Sequence, residues 1–155
     1  MEYSRESIDR QKKIQDMINA GIICYANNYH GKQDISKIVE TNTEKYKDVD
    51  FLMENGAIWE FKTAGRIISS RWMWKLVFGK IRDFSWDLQI SFMRDKVIFN
   101  TWKELVENII IEWEEKSAFK IAEKFCQVWD YIWVIWDLFV TKHWELTLFV
   151  KEFQV

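Results

Sequence analysis

The chain has 155 residues, 22 of them basic and 24 acidic, for a net charge of −2. That length fits one domain with a helical appendage. The near-neutral balance excludes a general nucleic-acid coat, so any contact with nucleic acid must be local. No apolar run is long enough for a membrane span, and the start MEYSRESIDRQKK lacks a secretory apolar region. Two widely separated cysteines, Cys24 and Cys126, in a Lys- and Glu-rich chain read as reduced thiols of a cytoplasmic protein. His30 and His143 have no cysteine or carboxylate partners at ligand spacing, so no metal site is expected. Proline is absent, and ten tryptophans stand against five glycines.

In chain order, Arg5 to Ala20 reads as a helix, with Ile8, Ile14, Met17 and Ile18 on a loose apolar stripe and Gly21 where a helix ends. Ile22 to Lys32 reads as a loop. A shorter helix runs from the candidate cap Asp34 through Ile35, Ile38 and Val39. Thr41 to Asp50 is polar and reads as a linker. The chain thus divides into a helical extension with linker, 1–50, and a second unit, 51–155.

The second unit opens on a strand from about Ala57 to Arg71, in which Gly65 marks a bulge or a close backbone approach. A tight connection at Trp72-Met73-Trp74 leads into Lys75 to Asp83, where Val77, Gly79 and Ile81 alternate with Phe78, Lys80 and Arg82. After a turn at Phe84-Ser85-Trp86, Leu88, Ile90 and Phe92 alternate with Gln89, Ser91 and Met93. Such a period of two means a sheet with one buried face and one free face. The period then changes. Trp102, Leu105, Val106, Ile109 and Ile110, and again Phe119, Ile121, Ala122 and Phe125, fall at helical spacing. They predict one or two helices over Asn100 to Phe125, with a charged break at Glu112 to Lys116. Strands resume over Asp130 to Val140 and Glu145 to Phe153, joined by the hairpin-length connection Thr141-Lys142-His143-Trp144. The order βββ-α-ββ matches the five-stranded Greek-key barrel called the OB-fold, here mainly β with helices and preceded by an N-terminal helical segment.

The free face of the first three strands carries an aromatic ring, an amide and cations. These groups can hold unpaired nucleotides: rings stack on bases, amides read base edges and cations meet phosphates. The bland alternative for each charge is a solvated surface, and for Phe78 a ring of the barrel core. Alternation opposes the latter, since Phe78 shares its face with Lys80 and Arg82. A nonspecific single-strand binder of the same fold is the functional rival. No phosphate-binding glycine loop or nucleophile–base pair is present, and Glu112, Glu114 and Glu115 read as an exposed charge run.

The run AGRI-x-S-x-R-x-M-x-K-x-x-F, then I-x-D and L-Q-I, and finally D-L-F-x-T-K-x-x-E-L-T-L-F-V-K-E-F resembles the N-terminal anticodon-binding domain of lysyl-tRNA synthetase, a class II enzyme. The upstream segment Arg10-Gln11-Lys12-Lys13 through Ala20-Gly21-Ile22 agrees, with Cys24 where that family has a proline. Aspartyl and asparaginyl relatives share the barrel, but the R-x-M-x-K-x-x-F run is similar to the lysyl branch. The resemblance implies that Arg71 hydrogen-bonds the anticodon, Phe78 stacks on an anticodon uracil, Gln89 reads the central uracil and Glu145 lies near the first anticodon base. Arg66 and Lys75 are candidate phosphate contacts. It implies lysine tRNA as partner and a homodimer as the assembly. In that family aminoacylation, with its ATP and magnesium, belongs to a separate C-terminal domain, so no catalytic residue or cofactor is expected in this chain. A full enzyme whose catalytic part lies outside this sequence is the alternative.

The resemblance also bears on the tryptophans. The family has glycine where this chain has Trp74, Trp86, Trp129, Trp133, Trp136 and Trp144, while Trp72 and Trp113 are further candidates and Trp59 and Trp102 read as ordinary tryptophans. Turn glycines often need a positive φ, which strains any residue carrying a Cβ. The expectation is an opal codon that the source organism reads as glycine, written here as tryptophan. On that view the rival stacking platform loses its two rings, Trp72 and Trp74, beside Arg71 and Lys75.

Overall fold

The computed structural model describes residues 4–24, 29–42 and 48–155. The expected loop residues 25–28 and linker residues 43–47 lie outside these. Helix α1 spans Arg5–Asn19, with Ser4 as its N-cap accepting from the Ser7 N–H, and it ends at Gly21, whose φ of 77° is left-handed. Helix α2 spans Ile35–Asn42. A third helix, α3, spans Val49–Asn55, so the sequence reading of a linker through Asp50 is corrected there. Asp48 caps it, accepting from the Phe51 N–H at 2.8 Å. The polar composition that read as linker is the composition of a short capped helix.

The strands follow as β1 Phe61–Trp72, β2 Leu76–Arg82, β3 Asp87–Met93, β4 Ile98–Asn100, β5 Leu105–Val106, β6 Asn108–Ile111 and β7 Glu114–Ser117. Helix α4, Ala118–Phe125, precedes β8 Tyr131–Val140 and β9 Leu146–Gln154. The helix predicted over Asn100 to Phe125 is therefore only its last third. Its earlier part forms two short hairpins, β4–β5 and β6–β7. Helix α4 starts at Ser117, whose hydroxyl accepts from the Lys120 N–H, and it buries Phe119, Ile121, Ala122 and Phe125.

Five strands close a barrel. β1 pairs antiparallel with both β2 and β8, β2 with β3, and β8 with β9, and a parallel β3–β9 pairing completes the ring. This is the connectivity of the OB-fold. β1 reaches both neighbours because it curls. Phe61 to Arg66 face β8, Arg66 to Trp72 face β2, and the register shifts between Ile67 and Ser69. Gly65 sits just before that bulge rather than in it. A Cβ there would lie 2.8 Å from the Arg82 carbonyl oxygen, so the expected close backbone approach is real.

The alternation holds as read except at Ser91, which was placed on the free face with Gln89 and Met93 but is buried. Val77 and Ile81, and Leu88, Ile90 and Phe92, point into the barrel with Ile132, Val134, Leu148 and Val150. Met17 and Ile22, with Ile35 and Ile38 of α2, join the same apolar cluster, so α1 and α2 close the barrel rather than float free of it. One carboxylate fastens α2. Asp83, in the β2–β3 turn, accepts from Ser85 Oγ at 2.6 Å, the Ser85 N–H at 2.7 Å, Lys32 Nζ at 3.0 Å and the Ile35 N–H at 3.1 Å. Burial raises this carboxyl. The hydrogen bonds from Ser85, the Ile35 N–H and Lys32 outweigh it and hold Asp83 well below the usual carboxylate range. Outside the barrel, Leu52 of α3 packs with Phe139 and Phe149 in a second, smaller cluster. Buried Asp137 accepts from the Ile58 and Trp59 N–H groups at 2.9 and 3.3 Å, which ties the approach to β1 onto β8.

Six non-glycine residues have a left-handed φ among the described residues: Asp95, Trp102 (71°), Glu112 (51°), Trp113 (70°), Trp129 (81°) and Trp144 (61°). Trp102, read from sequence as ordinary, is thus among the strained ones. Trp74, Trp86, Trp133 and Trp136 are not.

Candidate functional site

The outer face of β1–β2–β3 is ordered by register. Arg71 lies opposite Phe78, and Phe78 opposite Ser91. One row along, Ser69 lies opposite Lys80, Lys80 opposite Gln89, and Gln89 opposite Thr147 of β9. The bulge after Ile67 shifts the parity of β1, which puts Arg71 on the same face as Phe78. A groove of about 560 Å³ runs over this face. Arg71, Phe78, Gln89 and Glu145 all line it, although the last is far from the others in sequence. The parallel β3–β9 pairing is what brings the β8–β9 connection to the groove.

Arg71 is exposed, while Phe78 and Gln89 are half-buried. Phe78 does not enter the barrel. It packs on the outer Leu52–Phe139–Phe149 cluster and contributes to the groove wall. The core reading of this ring is therefore met halfway: its support comes from the small cluster under α3. Glu145 is anchored by the connection itself, with the Thr141 N–H donating to the Glu145 carbonyl at 3.0 Å and the Glu145 N–H to Thr141 Oγ1 at 3.2 Å.

The polar groups of the groove are linked. Lys80 Nζ lies 3.6 Å from Glu145 Oε1. Only one orientation of the Gln89 amide satisfies both of its ends. Its nitrogen donates to Glu145 at 2.8 and 3.1 Å, and its oxygen accepts from Thr147 Oγ1 at 2.7 Å. One N–H and part of the oxygen's acceptor capacity remain for a ligand. The groove thus offers a ring face, a cation at each of Arg71 and Lys80, and a fixed amide edge. Among the described residues, no three or more His, Cys, Asp or Glu side chains group as metal ligands would.

Two sequence candidates fall elsewhere. Arg66 lies under the Tyr131 ring, its guanidinium carbon 4.9 Å from the ring centre, and pairs in register with Arg82. Lys75 sits in the β1–β2 connection, where its carbonyl accepts from the Arg94 N–H. Neither lines the groove. Sequence reasoning passed over Met73, Thr141, His143 and Thr147. Lys80 had a signal, its place beside Phe78 in the alternation. Thr141 and Thr147 stand in the run that carries the resemblance but were given no role, and His143 had no signal, because only barrel closure brings this segment near.

No helix among the described residues is long and apolar enough to cross a membrane. No protein-family model matches the chain. Over 144 residues, 93% of its length, it is 31% identical to a lysine–tRNA ligase of Fusobacterium nucleatum subsp. nucleatum, and it spans 23% of that protein's length.

Proposed function

We propose that this chain is the anticodon-recognition module of a lysyl-tRNA synthetase and reads the U-rich anticodon of lysine tRNA. The observation that carries the reading is the meeting of Arg71, Phe78, Gln89 and Glu145 in one groove outside the barrel. The similarity to a lysine–tRNA ligase over nearly the whole chain supports it. Phe78 supplies a face on which one unstacked base lies, worth about 1–3 kcal/mol. Uracil presents two carbonyl acceptors and one N–H donor, which the Gln89 amide and the Arg71 guanidinium meet in kind. A wrong base leaves these groups unpaired, and that penalty is the source of selectivity.

On this reading residues 1–50 are an N-terminal extension, and residues 51–155 are the binding unit. Aminoacylation, with ATP and magnesium, belongs to a catalytic domain of a longer cytoplasmic protein. The assembly is a homodimer, which sedimentation would measure. The test is equilibrium binding to a stem-loop carrying the lysine anticodon against one with a scrambled loop. We expect at least about tenfold preference for the first, the equivalent of one lost base contact. Equal binding would refute anticodon reading and leave a nonspecific single-strand binder.

A further inference from the structure

We infer that Thr147, a residue buried out of reach of any ligand, sets the base selectivity of the groove by fixing the Gln89 amide. This rests on the anticodon-reading proposal above. Thr147 has no exposed surface, yet its hydroxyl lies 2.7 Å from the Gln89 side chain. The two residues are register partners across the parallel pairing that closes the barrel. With the amide nitrogen toward Thr147, the amide oxygen would face the Glu145 carboxylate, acceptor against acceptor. With the nitrogen toward Glu145, both ends are satisfied. Lys80 stands 3.6 Å from the same carboxylate and pairs with it.

The consequence is chemical. Uracil presents acceptor, donor and acceptor along its pairing edge, so it fits an amide in either order. Cytosine presents a donor beside an acceptor in one order only. A rotating amide suits both bases, whereas a fixed one admits cytosine in one pose at most. Thr147 is thus a positioning residue, and fixing the amide in advance also spares the cost of ordering it on binding.

The test uses Thr147→Val, which keeps the shape and removes the hydroxyl, and Thr147→Ser, which keeps the hydroxyl. In the free chain, the two Gln89 Nε2 proton resonances should lie away from those of a solvated glutamine amide in the parent and in Thr147→Ser. In Thr147→Val both should move to the solvated glutamine values. Thr147→Val should lose about tenfold of the uracil-over-cytosine preference in stem-loop binding, with its salt dependence unchanged. Retained Gln89 resonances in Thr147→Val overturn the positioning role whether or not RNA binds. Failure of the parent chain to prefer uracil overturns the reading beneath it and leaves the resonance result standing.

A second inference comes from backbone angles alone. We infer that the native residue at Trp102, Trp113, Trp129 and Trp144 is glycine. Each sits at a turn position that selects it. Glu112 and Trp113, both left-handed, form the two-residue link between paired Ile111 and Glu114, the geometry of a type I′ hairpin turn, whose signature ends in glycine. Trp129, at 81°, is the third residue of the turn closed by the Asp130 N–H on the Gln127 carbonyl, where a type II turn requires glycine. Trp144 is the left-handed residue ending the β8–β9 connection, and Trp102 is the first central residue of the Thr101–Glu104 turn between β4 and β5. A bulky side chain with positive φ is a rare outlier, and four here fall on one residue type. An opal codon read as glycine accounts for all four. The coding DNA should carry TGA at these positions, and TGG codons there would overturn the inference. Independently, a variant with glycine at all four positions should melt roughly 8–16 °C above the tryptophan chain. Trp59→Gly, at a position without a left-handed φ, should gain nothing. A lower melting temperature for the fourfold variant would contradict the assignment.

Discussion

Gly65→Ala probes the curl of β1, on which the placement of Arg71 depends. The added Cβ would sit 2.8 Å from the Arg82 carbonyl oxygen, 3.0 Å from its carbon and 3.2 Å from its nitrogen. All three are backbone atoms of the paired strand, so no side chain can swing aside. β1 and β2 must separate at the Arg66–Arg82 pair, just before the bulge that sets the parity of the groove face. Overpacking of this kind costs about 1–3 kcal/mol, and rigid backbone neighbours put Gly65→Ala toward the upper end. For a chain of this size that is a fall of roughly 4–12 °C in melting temperature. Gly79→Ala is the internal comparison. Its Cβ would meet the Ser69 carbonyl at 3.3 Å and the Ile90 side chain at 3.4 Å, contacts that a small shift relieves. Thermal unfolding by circular dichroism should therefore rank Gly65→Ala well below Gly79→Ala. Equal melting temperatures for Gly65→Ala and the parent would refute the close-approach argument.

Phe78→Ala should weaken lysine anticodon stem-loop binding about tenfold or more. It should also lower the melting temperature, because the ring leaves the Leu52–Phe139–Phe149 cluster. Asp83→Asn should destabilise the fold by about 1–3 kcal/mol at neutral pH by weakening the fastening of α2. Because the folded-state value of Asp83 is depressed, its contribution is present above its unfolded value of about 4 and is lost as pH falls. The gap between parent and variant should therefore close as urea melts are repeated at successively lower pH. Asp137→Ala should cost about 2 kcal/mol by stranding the Ile58 and Trp59 N–H groups, read as a lower urea midpoint with unchanged slope. Burial pushes the Cys126 thiol far above its usual range, so it should react with a thiol reagent only as fast as the fold opens.

The barrel was legible because its strands obey a strict period. Val77, Ile81, Leu88, Ile90 and Phe92 are buried as alternation requires, and Phe78 and Gln89 face outward. That Arg71, Phe78, Gln89 and Glu145 line one groove accords with that face and with the resemblance. What failed was the region from Asn100 to Ser117. Leu105, Val106, Ile109 and Ile110 happen to fall at helical spacing, and such short apolar runs do not separate helix from strand. Punctuation normally decides, and here it was hidden. The left-handed corners of both hairpins, Trp102 and Glu112-Trp113, carry tryptophan where a turn residue would have ended any helix. Thr141, His143 and Thr147 were invisible for a different reason. Thr147 meets Gln89, and Thr141 and His143 come to the groove, only through the parallel β3–β9 pairing, a long-range contact with no local trace.

The most direct measurement is chemical-shift mapping of the isotope-labelled chain as it is titrated with the lysine anticodon stem-loop. Perturbations should gather at Arg71, Phe78, Gln89 and Glu145, and fade along β1 toward Phe61. Shifts confined to the charged cleft where Lys13 meets Asp130, between α1 and the start of β8, would contradict a groove built to read bases.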